Sequence, residues 1–133
     1  MQNNSATGKA AIGLDGNIAA ALGYPIGILG LINFIIEKDN QFVKFHGLQS
    51  VLYSVGVSIV FMVLWVVLIV FGIILTMISD VLGMLIWRLN VLIFLAFFVV
   101  MFGGLIFAAY KSYQGEMFKL PVVGNMAEKI INK

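Results

Sequence analysis

The chain has 133 residues, of which 62% are apolar and 11% are charged, and its mean hydropathy is +1.07. These values exclude a small soluble globule, whose residues are about half apolar and a quarter charged, and they exclude a disordered chain. The chain has no cysteine, which excludes disulfides and thiolate metal sites. Its net charge of +2 is too small to indicate binding to nucleic acid. The composition predicts an integral membrane protein with an all-α fold.

The first 16 residues are mostly small and polar, which predicts an amino-terminal tail. The apolar segment 17–36 is long enough to cross a hydrocarbon core of about 30 Å, and we interpret it as the first transmembrane helix. A signal peptide is the competing interpretation, but no small-residue cleavage site follows the segment. Pro25 predicts a kink within it.

Small residues recur along this first segment at helical spacing: Ala19, Gly23, Gly27 and Gly30. Such residues let helix backbones approach closely in lipid, where burial of apolar surface between helices gains little. We expect them to pack against the other helices of the same chain, and a dimer interface is the alternative.

Two further uncharged segments predict a second and a third transmembrane helix at 47–78 and 91–110. Between them, Trp87 and Arg88 are typical anchors at the membrane interface, so we expect residues 81–90 to form a short interfacial segment. The alternative is that these residues form the first turns of the third span. Within that span, small residues again predict close packing, namely Gly103, Gly104 and Ala108.

The sequence therefore predicts a three-helix membrane domain over residues 17–110, followed by a cytoplasmic or interfacial tail over residues 111–133. In this tail Pro121 interrupts any continuing helix, and the segment 126–131 has the spacing of a short amphipathic helix. Three spans place two basic residues on the side of the amino terminus and six on the side of the carboxyl terminus. The positive-inside rule then predicts a cell-membrane protein with its amino terminus outside and its carboxyl terminus in the cytoplasm.

Polar residues recur at steps of three and four along the second predicted helix and so share one face, namely His46, Gln49, Ser50, Ser54 and Ser58. Phe45 directly precedes them and belongs to the same motif. Since polar groups do not face lipid without cost, we expect this face to meet the glycines of the first helix. A water-filled half-channel with His46 at its mouth is the alternative. We favour packing, because no carboxylate or second histidine continues such a path.

No arrangement of residues predicts catalysis. The only histidine has no partner ligands at metal-binding spacing, and the acidic residues lie in separate loops. We therefore expect a protein that is not an enzyme, with no cofactor, no metal site and no small-molecule substrate.

The segment Phe42-Val-Lys-Phe-His-Gly-Leu-Gln-Ser50 carries a Phe-His-x-x-Gln motif. This motif resembles the opening of the second helix in a family of small bacterial and archaeal membrane proteins of unknown function. That family is distantly similar to the Tic-type membrane subunit of chloroplast protein import. A second point of resemblance is the segment Leu120-Pro121-Val122-Val123-Gly124, after an alanine-rich end of the last span. The resemblance implies three transmembrane helices and carries over no catalytic residue.

Three functions remain open on these observations. The first, which we favour, is a non-catalytic interaction subunit that assembles with itself or with other membrane proteins. The second is a transport or translocation element, such as an oligomeric pore, that uses the polar face of the second helix. A weaker third idea is a protein that organises lipids.

Overall fold

The computed structural model describes residues 8–133, which form five helices and no β-strand. The helices are α1 (Gly16–Leu22), α2 (Gly27–Ile36), α3 (Gln41–Ile78), α4 (Asp80–Tyr113) and α5 (Val123–Ile131). They fall into two compact units. One unit contains the residues up to Val55 together with Gly103–Lys133, and the other contains Gly56–Phe102.

The first apolar segment is not one helix, as the sequence led us to expect, but two short ones. The chain leaves the helical path between α1 and α2, where Pro25 lacks a backbone N–H and disfavours helical geometry in the residue before it. Beyond this point the chain reverses direction, and the Asn33 amide of α2 donates to the Ala19 carbonyl of α1 at 2.8 Å. The expected kink is therefore a complete turn, which we call the first proline turn (residues 23–26).

Polar groups at the start of α3 hold the amino-terminal segment in place. Asn40 caps the helix, since its side-chain oxygen accepts from the Val43 backbone N–H at 3.2 Å. Glu37 is 3% exposed, and its carboxylate accepts from the backbone N–H groups of Asn40 and Ala11 at 3.1 and 2.7 Å. Residues 8–15 of the predicted polar tail form a turn closed by a Lys9–Asp15 ion pair, and its last residue, Gly16, begins α1. Residues 1–7 of that tail lie outside the described residues.

The expected interfacial segment 81–90 is instead continuous with the third predicted span, as the alternative interpretation had it. Both belong to α4, which begins at Asp80, one residue after α3 ends. The burial pattern explains this continuity, because Gly83 and Asn90 lie on one face of α4 and both are buried. The Asn90 amide donates to the Leu68 carbonyl of α3 at 3.3 Å, so this part of α4 packs on α3.

Within residues 8–133, two helices, α3 and α4, are long and apolar enough to cross a membrane, rather than the three that we expected. Their 38 and 34 residues correspond to about 57 and 51 Å of helix, whereas α1 and α2 are each too short to span about 30 Å. The expectation that the two termini lie on opposite sides of the membrane rested on three spans, so it loses its basis.

The carboxyl-terminal segment turns twice before its last helix. Gly115 has a φ of 81°, which glycine adopts readily and which ends the path of α4. Val122 has a φ of 66°, an unusual value for a β-branched residue, in the tight turn that the Val123 N–H closes on the Pro121 carbonyl at 2.7 Å. We call residues 120–123 the second proline turn. Helix α5 starts there, three residues earlier than the sequence predicted.

The contact between α2 and α3 depends on glycine. A Cβ atom on Gly47 would lie 2.6 Å from the Gly30 carbonyl oxygen and 2.9 Å from the Phe34 backbone nitrogen. We expect Gly47→Ala to destabilise the protein by about 1–3 kcal/mol, the usual cost of overpacking, because backbone atoms cannot rotate away. Thermal melting in detergent measures this. Gly56→Ala is the matched control on α3, since a Cβ there would meet nothing within 4 Å. Equal melting temperatures for the two variants would contradict the close packing.

Candidate functional site

The first turns of α3 carry a cluster of polar and aromatic side chains that is shielded from solvent. Phe45, His46 and Gln49 are each 0% exposed, and Ser50 is 1% exposed. Helical spacing brings His46 and Gln49 onto one face, one turn apart. A buried polar group must find a hydrogen-bond partner to offset the cost of its desolvation, so their partners define the site.

His46 bonds at both ring nitrogens. Its Nε2 lies 3.1 Å from the Glu116 carbonyl oxygen, and its Nδ1 lies 2.7 Å from the Tyr24 hydroxyl. A carbonyl only accepts, so Nε2 carries a proton. Burial favours the neutral ring, in which Nδ1 is then the acceptor and the Tyr24 hydroxyl donates to it. Burial and the network together assign one tautomer to His46.

Gln49 continues this chain of bonds in the same direction. Its Nε2 donates to the Tyr24 hydroxyl at 2.6 Å and to the Phe118 carbonyl at 3.1 Å. Its Oε1 accepts from the Leu120 backbone N–H at 2.9 Å. The partners also settle the orientation of the amide, because exchanging its oxygen and nitrogen would place donor against donor at Leu120.

The site therefore joins α3 to both proline turns. Tyr24 belongs to the first proline turn, and Leu120 opens the second. Residues 116–120 of the carboxyl-terminal segment lie against the helical turn of α3 that carries Gln49, and the chain then continues as α5. Helix α5 also packs closely here, because a Cβ atom on Gly124 would lie 2.7 Å from Gln49 Oε1. A Lys119–Glu128 ion pair at 2.6 Å joins the segment before the second proline turn to helix α5 after it.

An aromatic shell surrounds the histidine ring. The rings of Tyr24, Phe42 and Phe45 all meet the His46 ring edge-on, with centroids 4.5 to 5.8 Å apart. Such contacts each contribute about 0.5–1.5 kcal/mol beyond the burial of area, and they fix the plane of the ring. The shell and the bonds together hold His46 in one orientation.

The serines of the polar face differ in their surroundings. The Ser50 hydroxyl donates to the Gly47 carbonyl of its own helix at 2.8 Å and touches the position where Gly30 lacks a Cβ atom. Ser54 lines a groove between α2 and α3, and Ser58 lies exposed further along α3. The structure thus brings His46, Gln49 and Ser50 together in one buried site and leaves Ser58 outside it.

The small residues of the sequence motif also separate into two groups. Buried or tightly packed positions are Ala19, Gly23, Gly30, Gly104 and Ala108. Among them, Gly104 faces the Tyr53 ring, whose Cζ atom would lie 3.1 Å from an added Cβ. At Gly27 and Gly103 an added Cβ would meet nothing within 4 Å, so these two glycines lie open.

The two predicted interface anchors lie on α4. Trp87 donates its indole N–H to the Thr76 hydroxyl at 3.1 Å and covers Gly72, while Arg88 is exposed. Neither contributes to the buried site on α3.

Several buried polar residues were missing from the sequence-based prediction, and Tyr24, Asn33 and Glu37 are among them. Tyr24 lies 22 positions before His46, so no local spacing indicates their bond. Its place beside Pro25 in an otherwise apolar segment is the one available signal, because a tyrosine hydroxyl at that depth needs a partner. Asn33 gave a similar signal, as an amide within a predicted span.

These features define a small helical membrane protein with a buried hydrogen-bond network around His46 and Gln49 rather than an open polar cleft. Comparison with known proteins places it more closely. The chain belongs to the magnetosome magnetite crystal formation protein family (MamF/MmsF), which matches residues 9–127.

Similar proteins occur in archaea. A UPF0132 membrane protein of Methanocaldococcus jannaschii is 42% identical over 92% of this chain and 94% of its own length. A UPF0132 membrane protein of Archaeoglobus fulgidus is 37% identical over 86% of this chain and 94% of its own length. No solved structure matches the chain. Membership of a family of membrane proteins with relatives in archaea is thus confirmed. The similarity to the Tic-type subunit and the Phe-His-x-x-Gln motif as a mark of the family stay predictions.

Replacement of Gln49 tests the network. Gln49→Leu leaves the Leu120 N–H, the Phe118 carbonyl and one bond of Tyr24 without their partner, and each buried group so orphaned costs about 1–3 kcal/mol. We expect a lower melting temperature and faster hydrogen exchange of the amides in residues 118–124.

The matched control is Gln114→Leu, which removes only an exposed bond to the Tyr110 hydroxyl. We expect it to leave melting and exchange unchanged. Equal protection of residues 118–124 in both variants would show that Gln49 does not hold the second proline turn.

Proposed function

We propose that this protein is a non-catalytic subunit of a membrane assembly, associating with another membrane protein or with further copies of itself. The observation that carries the proposal is a groove of about 270 Å³ between α2 and α3, which the described part of the chain leaves unfilled. It is lined by Gly27, Ile28, Leu31, Val51, Ser54 and Val55.

The groove has the features of a helix-packing surface. Gly27 lies open at one end of it, and a partner helix can approach the backbone closely at such a position. Its walls are apolar, and a partner's side chain that fills the groove would gain van der Waals contacts that loosely ordered lipid chains supply less well. The family description connects related proteins to magnetite crystal formation in magnetosomes, and an assembly role is compatible with that description.

The buried network supports the same conclusion in a different way. The side chains of His46 and Gln49 are occupied by bonds within the chain, so their chemistry serves to hold the fold. The transport alternative gains no support from these contacts, since the first polar residues of its path are closed to water.

A photoreactive amino acid in place of Ile28, which is 71% exposed and lines the groove, tests the proposal in native membranes. We expect a discrete crosslinked protein band, and the same probe at Val99, which is 73% exposed on α4, should give none. Gly27→Leu should fill the groove and remove the band at Ile28. Because an added Cβ at Gly27 meets nothing within 4 Å, we expect this variant to keep its melting temperature.

The absence of a protein band at Ile28 would overturn the assembly role. A band that persists at full strength in the Gly27→Leu variant would show that the partner does not use the groove.

A further inference from the structure

The segment that contains α1 and α2 is a hairpin, and its first and last residues lie at the same end of it. At the open end of this hairpin, the Ala11 backbone N–H donates to Glu37 Oε2 at 2.7 Å, and the Asn40 amide lies 3.4 Å from the Lys9 carbonyl. The residues before α1 and those after α2 are therefore neighbours. A helix that crossed a bilayer would separate them by about 30 Å.

The carboxyl end of α4 lies at this same end of the hairpin. The Asn17 amide, in the first turn of α1, donates to the Tyr113 carbonyl in the last turn of α4 at 2.9 Å. The start of α1, the end of α2, the start of α3 and the end of α4 thus meet at one level.

The outer face of the hairpin is suited to acyl chains. Helix α2 measures about 15 Å, which is half the thickness of a hydrocarbon core. Its exposed side chains are all aliphatic, namely Ile28, Leu31, Ile32, Ile35 and Ile36. The amides of the first proline turn are satisfied within the chain, since Tyr24 N–H donates to Ala21 and Ile26 N–H donates to Leu22. Backbone N–H groups that are bonded within the protein lower the cost of placing such a turn at membrane depth.

We propose that α1 and α2 form a re-entrant hairpin, which dips into one leaflet and returns, so that α3 and α4 are the two spans of residues 8–133 and both ends of this described chain lie in the cytoplasm. The distribution of charge supports this orientation. Two spans place all seven lysines on the side of the termini, and they leave Arg88 nearer the opposite side, beyond the uncharged segment 89–110. The positive-inside bias is therefore stronger than the two-to-six division that three spans would give.

Single cysteines test this topology, because the natural chain has none. The variants are Leu14→Cys before α1, Lys38→Cys after α2, Lys133→Cys at the carboxyl end, Asp80→Cys at the α3–α4 turn and Ile28→Cys on the hairpin. A membrane-impermeant maleimide is applied to inverted and to right-side-out vesicles, with detergent-opened vesicles as the control for reactivity.

We expect the cysteines at positions 14, 38 and 133 to react in inverted vesicles only, and the cysteine at position 80 in right-side-out vesicles only. The cysteine at position 28 should react only after detergent is added. Labelling of position 14 on the same side as position 80 would overturn the re-entrant hairpin, since that pattern requires three spans. Ready labelling of position 28 in sealed vesicles would overturn its insertion into the leaflet, and labelling of all three end positions from outside would overturn the orientation.

Discussion

The attachment of the two proline turns to α3 depends on the side chain of Gln49. An amide presents an acceptor and two donors on one rigid plane, and here one plane meets a backbone N–H, a backbone carbonyl and a hydroxyl. A carboxylate could not donate to the Phe118 carbonyl, and an aliphatic side chain could satisfy none of the three groups. The geometry therefore explains why a glutamine, rather than another residue of its size, lies within an apolar helix at the contact of two turns.

The two proline turns create the need for such a residue. Each turn interrupts regular hydrogen bonding, and in surroundings poor in water the freed groups must bond within the protein. The first turn meets this need with backbone bonds of its own. Its Tyr24 hydroxyl is a further buried polar group, which receives one bond from Gln49 and gives one to His46. The second turn has its Leu120 N–H satisfied by Gln49. The polar motif is thus a consequence of chain reversal in an apolar environment.

The sequence predicted the long helices well and the reversals poorly. The length of the uncharged segments identified 47–78 and 91–110, which lie within α3 and α4 respectively. This works because composition decides whether a helix tolerates lipid. The same count failed for 17–36, since hydropathy does not register a change of direction at Pro25. For the site, spacing placed His46 and Gln49 on one face. The His46 partner Glu116 lies 70 positions further along the chain, and contacts at that separation depend on the path of the whole chain.

The glycines show how space, rather than residue type, separates internal packing from external surface. In the sequence Gly27 and Gly30 look equivalent, one turn apart on one helix. In the fold, Gly30 lies against Ser50, whereas Gly27 opens onto a groove that no part of the described chain fills. Glycine within a helix destabilises it relative to alanine, so a glycine with no neighbour in its own chain gains nothing from folding alone. Close approach by a second chain is the gain that the assembly role proposed above would supply at this position.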